Sequence, residues 1–113
     1  MYKTPATLGL DRLAAVVGAV NIYPKKNVLV IDIGTCMTYD YVDKYNNYHG
    51  GNISPGIELR LNAMHHFTSA LPLVKRKKNK EMLGKSTKEA IQNGAVLGIK
   101  FEIERFIKTL TKL

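Results

Sequence analysis

The sequence predicts an α+β domain in which a three-stranded antiparallel meander is covered by helices. Three observations carry that reading. Val28-Leu29-Val30-Ile31-Asp32-Ile33 is an apolar, β-branched run of strand length that breaks at Gly34-Thr35 before a second strand-like run. A third such run, Tyr48 to Ile53, follows the pair Asn46-Asn47, so the links are short enough for antiparallel neighbours. Apolar residues at helical spacing flank these strands on both sides.

The elements follow in order. Met1 to Gly9 reads as an extended segment and a turn, with Pro5 biasing Thr4 away from helix. Leu10, Leu13, Ala14, Val17 and Val20 predict a helix over Leu10 to Val20 with these residues as its apolar face. Asp11 falls in its first turn, where the helix dipole favours negative charge. Asn21 to Asn27, with Pro24 and two lysines, reads as a surface loop. Val28 to Asp32 is apolar up to its closing aspartate and so is expected to be covered on both faces. Met37 to Lys44 alternates imperfectly as a second strand, and Asn46-Asn47 suits a reverse turn because asparagine tolerates positive φ. In the third strand, Gly50-Gly51 permits a bulge or a close backbone approach.

Ser54 as N-cap and Pro55 at the first helical position predict a helix whose stripe is Ile57, Leu61, Met64 and Phe67, reaching Thr68. Ala70 to Gly84 is a loop containing Pro72 and the run Lys75-Arg76-Lys77-Lys78-Asn79-Lys80. Ser86-Thr87-Lys88-Glu89 has capping-box spacing and opens a long last helix from Thr87. Its core face is drawn from Ala90, Ala95, Leu97, Ile99, Phe101, Ile103, Phe106, Ile107 and Leu110. Gly94 and Gly98 lie four apart, and each costs roughly 1 kcal/mol against alanine unless another element approaches closely there.

Composition narrows the function classes. With 113 residues, 45% of them hydrophobic and 23% charged, the chain suits one globular domain or a piece of a larger one. No apolar run approaches the roughly 20 residues of a membrane helix, and no membrane partner is expected. The start shows no secretory leader and the single cysteine, Cys36, forms no internal disulfide; together these predict a cytoplasmic protein. The net charge of +8 is concentrated in Lys75 to Lys80 and in Lys100, Arg105, Lys108 and Lys112. That pattern is read as solvated surface or, alternatively, as attraction of an anion such as a nucleotide, an acidic metabolite or nucleic acid. The basic run has no interleaved aromatic residue, which argues against single-strand stacking.

Three stretches could carry chemistry. In Thr7-Leu8-Gly9-Leu10-Asp11-Arg12, Asp11 could accept a proton from a substrate hydroxyl and Arg12 could bind an anionic group. The alternative is a dipole-matched aspartate beside a surface arginine. In Asp32-Ile33-Gly34-Thr35, Asp32 could bind a cation, Gly34 admits phosphate to the backbone and Thr35 offers a hydroxyl; the alternative is an ordinary turn. Gly50-Gly51-Asn52-Ile53-Ser54-Pro55-Gly56 either approaches a ligand or simply connects strand to helix. His49, His65 and His66 read as structural or surface residues, and Cys36 as a small packed residue.

Taken in order, Tyr2, Thr4-Pro5, Thr7 to Arg12, Ile31 to Thr35, Gly50 to Gly56, Leu71-Pro72 and Gly84 to Thr87 closely resemble the type III pantothenate kinase family, from Tyr2 to Ile107. The resemblance implies an actin-like ATPase fold, with this chain an incomplete ribonuclease-H-like lobe and residues 1–113 a single partial domain, the pantothenate-binding half. It implies ATP-dependent phosphorylation of pantothenate, the first step of coenzyme A biosynthesis. It also implies magnesium with ATP, a monovalent cation (potassium or ammonium) and a homodimer built partly on the long helix. By resemblance Asp11 is the proton acceptor, and Tyr2, Gly9, Leu10, Asp11, Arg12 and Thr87 bind pantothenate. Asp32 is then the cation ligand and Thr35 the ATP contact.

Two departures qualify these expectations. Family members are longer and open with an Asp-x-Gly-Asn-Thr phosphate loop that these 113 residues do not contain, so the chain alone is expected to be inactive. Cys36 stands where the family has alanine. A competing reading from the same fold family is a non-catalytic transcriptional accessory factor, or a dimerisation remnant, although nucleic acid is not the expected partner.

Overall fold

The computed structural model describes Lys3 and residues 8–112. Helix α1 (Leu10–Ile22) precedes strands β1 (Val28–Ile33), β2 (Cys36–Val42) and β3 (Tyr48–Pro55), which are followed by helices α2 (Ile57–His66) and α3 (Thr87–Leu110). The predicted α+β order is present. The segment before Gly9, including Thr4, Pro5 and Thr7, lies almost wholly outside the described residues. The chain divides into two compact units, Met1–Ser54 and Pro55–Leu113.

In the first unit the strands form one antiparallel sheet in the order β1-β2-β3. Val28 stands opposite Val42 and Ile33 opposite Met37. β1 is an edge strand, and the expected cover of both its faces is partial, since Val28 to Ile31 are half-buried on each face. None of its residues is fully buried, and Asp32 and Ile33 are exposed. The covered strand is β2, where Met37, Tyr39, Asp40 and Val42 are all buried. Tyr39 and Asp40 are consecutive and so point to opposite faces of the sheet.

α1 packs on β1 and β2, but not through the predicted stripe. Leu10, Leu13 and Val17 are exposed. The inward residues are Arg12, which is buried, and Ala15, Val16, Ala19 and Val20, which are partly buried. These follow helical spacing from Arg12, and the small alanines let the helix lie close to the strands. The side chain that sets the inward face is thus charged, which a search for apolar periodicity cannot find.

The loops of this unit are tied by asparagine and aspartate. The Asn27 side-chain oxygen accepts from the Lys44 amide at 2.8 Å. In the β2–β3 turn Asn46 has φ 65°, as its residue type predicts. The Asp43 carboxylate accepts from the amides of Tyr45 and Asn47, each at 2.9 Å. Gly50 has φ 93°. A Cβ at Gly51 would lie 1.7 Å from the Tyr39 carbonyl oxygen. The Gly-Gly pair therefore serves a close backbone approach within the sheet.

In the second unit α2 and α3 pack together around Leu61, Ile91 and Ala95, with Ile57, Met64, Leu71 and Val74 against them. α2 begins two residues later than the Ser-Pro signal predicts. Ser54 and Pro55 belong to β3, and Gly56 is the N-cap. The Pro55 carbonyl accepts from Arg60 Nε at 2.8 Å, holding the proline outside the helix. At α3 the capping box forms: Ser86 Oγ accepts from the Glu89 amide at 3.1 Å. The Glu89 carboxylate reaches back to the Lys85 amide at 2.8 Å. The buried face is Ile91, Gln92, Asn93, Ala95 and Ile99, while Ala90 is exposed. A Cβ at Gly98 would meet Arg60 Nη1 at 3.3 Å, whereas one at Gly94 would meet nothing within 4 Å. Close packing within this chain therefore accounts for Gly98 alone.

The loop between α2 and α3 lacks regular structure over residues 71–79, yet α3 holds it. Gln92 Nε2 donates to the Lys75 carbonyl at 2.8 Å. Asn93 Nδ2 donates to the carbonyls of Glu81 and Met82, both at 3.1 Å. Asn79 Nδ2 joins the two, donating to Gln92 Oε1 and Asn93 Oδ1 at 3.1 Å each. The basic side chains around Asn79 stay exposed. Among the described residues no helix is long and apolar enough to cross a membrane.

Candidate functional site

The first unit contains a cleft of about 540 Å³. One wall is the start of α1, with Gly9, Leu10, Asp11 and Arg12; the other is the β1–β2 turn, with Asp32, Gly34, Thr35, Cys36 and Thr38. Each wall follows from local sequence. Gly9 is the extended N-cap of α1, and its carbonyl accepts from the Leu13 amide at 3.1 Å. Asp11 sits exposed in the first turn, at the positive end of the helix dipole. On the other wall the antiparallel ladder closes through Ile33 and Met37, and the Gly34 amide donates to the Cys36 carbonyl at 3.1 Å. Asp32 and Thr35 are exposed there.

Six of the residues singled out from sequence, Gly9, Leu10, Asp11, Arg12, Asp32 and Thr35, therefore line one cleft. Tyr2 lies outside the described residues. Thr87 is the exposed first residue of α3, in the second unit. Cys36 corrects its expectation: it is exposed and lines the cleft, because it opens β2 at the turn and not within the sheet.

Arg12 also departs from the alternative of a surface arginine. It is 8% exposed. Its Nη2 lies 2.7 Å from Asp40 Oδ1, and its Nε donates to the two Asp40 oxygens at 3.2 and 3.3 Å. Nη2 also donates to Tyr48 Oη at 3.0 Å. Tyr48 in turn donates to Asp40 Oδ1 at 2.5 Å. Asp40 and Tyr48 thus support the site through Arg12, and neither belongs to a sequence motif. A signal existed: Asp40 stands among Met37, Tyr39 and Val42 in the middle strand, and a carboxylate buried there requires a charged partner.

A second acidic group lies in the β2–β3 turn. Asp43 is held below its ordinary value of 3.8, to about 2, chiefly by the hydrogen bond from His49 and then by the Asn47 amide. His49 Nε2 is 2.8 Å from Asp43 Oδ2.

Among the described residues no three His, Cys, Asp or Glu side chains gather closely enough to hold a metal ion. The cleft instead offers an aspartate on each wall and the Thr35 hydroxyl. Such a set does not cage a cation by protein ligands alone. It suits one whose remaining ligands are phosphate and water oxygens.

The family model described as type III pantothenate kinase matches residues 1–109. A relative of that name from Bacteroides fragilis is 51% identical over 110 residues, covering 97% of this chain and 45% of the relative. One from Phocaeicola vulgatus is 52% identical over 112 residues, covering 99% and 46%. One from Cytophaga hutchinsonii is 50% identical over 107 residues, covering 95% and 46%. A crystal structure from Campylobacter jejuni, described as a conserved Baf family transcriptional activator, matches with a TM-score of 0.68 at 26% identity, over 93% of this chain and 47% of that one. The chain spans less than half the length of the curated relatives it matches.

Proposed function

Because the chain belongs to the type III pantothenate kinase family, we propose that it forms the pantothenate-side half of an enzyme that phosphorylates pantothenate with ATP, the first step of coenzyme A biosynthesis. The observation that supports this reading best is the shared cleft. Two family-like motifs, Gly9 to Arg12 and Asp32 to Thr35, arrive from a helix start and a strand turn and line the same space.

In this reading an Asp11 carboxylate oxygen takes the proton from the pantothenate hydroxyl while the hydroxyl oxygen attacks the γ-phosphorus of ATP and the bond from that phosphorus to the β–γ bridging oxygen breaks, releasing ADP. Exposure in the cleft leaves Asp11 within reach of a substrate. Gly9 and Leu10 shape the pantothenate wall, with Tyr2 and Thr87 as further contacts. Thr35 faces ATP, and the glycine before it lets phosphate approach the backbone. Asp32 would hold the monovalent cation, potassium or ammonium, while magnesium arrives with ATP; the cations supply neutralisation of phosphate charge. The donor set of the cleft fits that use. No Asp-x-Gly-Asn-Thr stretch occurs in the 113 residues, so this chain alone is proposed to be inactive. An actin-like fold, a homodimer and a cytoplasmic site of action complete the proposal.

The test is phosphoryl transfer by the full-length product with magnesium and potassium or ammonium present. Asp11→Asn should remove turnover while the thermal midpoint stays in place. Undiminished turnover would take the proton-acceptor role away from Asp11. A second reading, a transcriptional accessory protein, is favoured by the Campylobacter similarity and by the net charge of +8. It predicts DNA binding by the chain that weakens steeply with salt, and absence of binding at low salt would dismiss it.

A further inference from the structure

Asp11 and Arg12 are neighbours on the first turn of α1, yet Arg12 is buried and Asp11 exposed. The Arg12 edge made of Nε and Nη2 is the fork that a carboxylate takes in a bidentate pair. Here Asp40 occupies that edge, with Nη2 to Oδ1 at 2.7 Å. Tyr48 closes the circuit, accepting from Arg12 and donating to Asp40. The positive charge of Arg12 is therefore matched inside the protein, so its use goes beyond attracting a substrate anion.

Two further observations give the circuit a purpose. The N-cap of α1 is Gly9, and among the described residues no side chain caps the helix. A first turn without such a cap lacks one of its common restraints. Arg12, bonded into the middle strand, supplies another restraint one residue from Asp11. Gly51 makes room for it: a Cβ there would lie 2.7 Å from Asp40 Oδ1.

We infer that Asp40 and Tyr48 are positioning residues. By holding Arg12 against the sheet they set the first turn of α1, and with it the Asp11 carboxylate, across the cleft from the Asp32–Thr35 turn. This rests on the reading that the cleft takes pantothenate at Asp11. Positioning of this kind matters because a shift of about 1 Å in a reacting group can cost on the order of 100-fold in rate.

The test uses Tyr48→Phe, which removes one hydroxyl, and Asp40→Asn, which keeps the shape and removes the charge. Pantothenate affinity is measured by calorimetry on the chain, and amide hydrogen exchange is followed at Leu13 and along the β1–β2 ladder. Tyr48→Phe should weaken pantothenate binding about tenfold and lower the thermal midpoint by several degrees, as expected for loss of a hydrogen bond to a charged group, with the chain still folded at the assay temperature. Asp40→Asn should weaken it further. In Tyr48→Phe exchange should quicken more at Leu13, whose amide bonds to Gly9, than along the ladder, whereas Asp40→Asn, which leaves Arg12 without its charge partner, should quicken both. Wild-type affinity in Tyr48→Phe, or equal loosening of helix and ladder in that variant, would overturn the inference. If the wild-type chain takes no pantothenate, the substrate reading fails by itself; selective quickening at Leu13 then still supports positioning, and unchanged exchange overturns it.

Discussion

The two compact units both bury polar side chains, and they satisfy them with different chemistry. The first unit encloses an ion pair, Arg12 with Asp40, completed by Tyr48. The second encloses neutral amides, Gln92 and Asn93, which Asn79 bridges. Their surfaces show the reverse contrast. Residues 55–113 hold 12 of the 17 basic and five of the nine acidic side chains, and so carry +7 of the net +8. The nearly neutral unit keeps a charge pair fully inside, while the basic unit leaves its charges exposed or, in the Arg60–Glu102 pair, half-buried, and uses uncharged donors at its most buried polar positions. A buried ion pair is costly to break because the survivor is left unpaired. Amides hold a self-repelling lysine loop without adding charge to it.

The largest effect expected from this contrast is Asp40→Ala. It leaves the Arg12 guanidinium buried without its carboxylate and should cost about 3–5 kcal/mol by urea unfolding. A loss below about 1 kcal/mol, the range of exposed pairs, would show that water reaches the pair and would erase the contrast. Asn93→Ala comes next. It strips the Glu81 and Met82 carbonyls of a shared donor and should cost about 1–3 kcal/mol. The same variant should speed trypsin cleavage within Lys75 to Lys80, and unchanged cleavage would mean that the amides do not restrain the loop. Ser86→Ala removes the α3 cap and should cost about 1 kcal/mol, read from helix unfolding by circular dichroism.

The smallest effect is an acid titration. Asp43 has a folded value of about 2, below its ordinary 3.8. Its contribution is complete above the ordinary value and disappears as pH falls through the folded one. The β2–β3 turn should therefore loosen between about pH 4 and pH 2, seen in the Asn47 amide resonance, and His49→Ala should move that loosening to higher pH. A turn that stays intact down to pH 2 in the His49→Ala variant would remove His49 as the cause.

Much of the fold was legible in residue types that act locally. Asn46 fixed a turn, Ser86 with Glu89 opened α3, and the β-branched run Val28 to Ile33 formed a strand. Periodicity failed where burial is decided by partners distant in sequence. The inward face of α1 follows Arg12 because Asp40 lies beneath it, 28 residues away. The apolar run of β1 implied two fully covered faces, but Val28 to Ile31 are only half-buried and the strand end at Asp32 and Ile33 is exposed. Ser54-Pro55 carried a helix-start signal that sheet pairing overrode. Of the candidate site, both walls were legible because glycine and aspartate at turns leave a local trace. The Asp40–Tyr48 support was not, since a strand aspartate and a tyrosine form no motif until the sheet aligns them.

The clamp on the loop before α3 separates two kinds of sequence change. Lys75, Glu81 and Met82 are held by their carbonyl oxygens, which every residue type possesses, while the basic side chains among them point away unpaired with the clamp. Apart from Asn79, whose side-chain amide belongs to the clamp, composition there is free to drift, including in sign of charge. Length is not: one residue inserted between Lys75 and Glu81 would lift a carbonyl from its amide or displace Asn79 from between Gln92 and Asn93. The segment behaves as a ruler whose markings can be repainted but whose span is fixed.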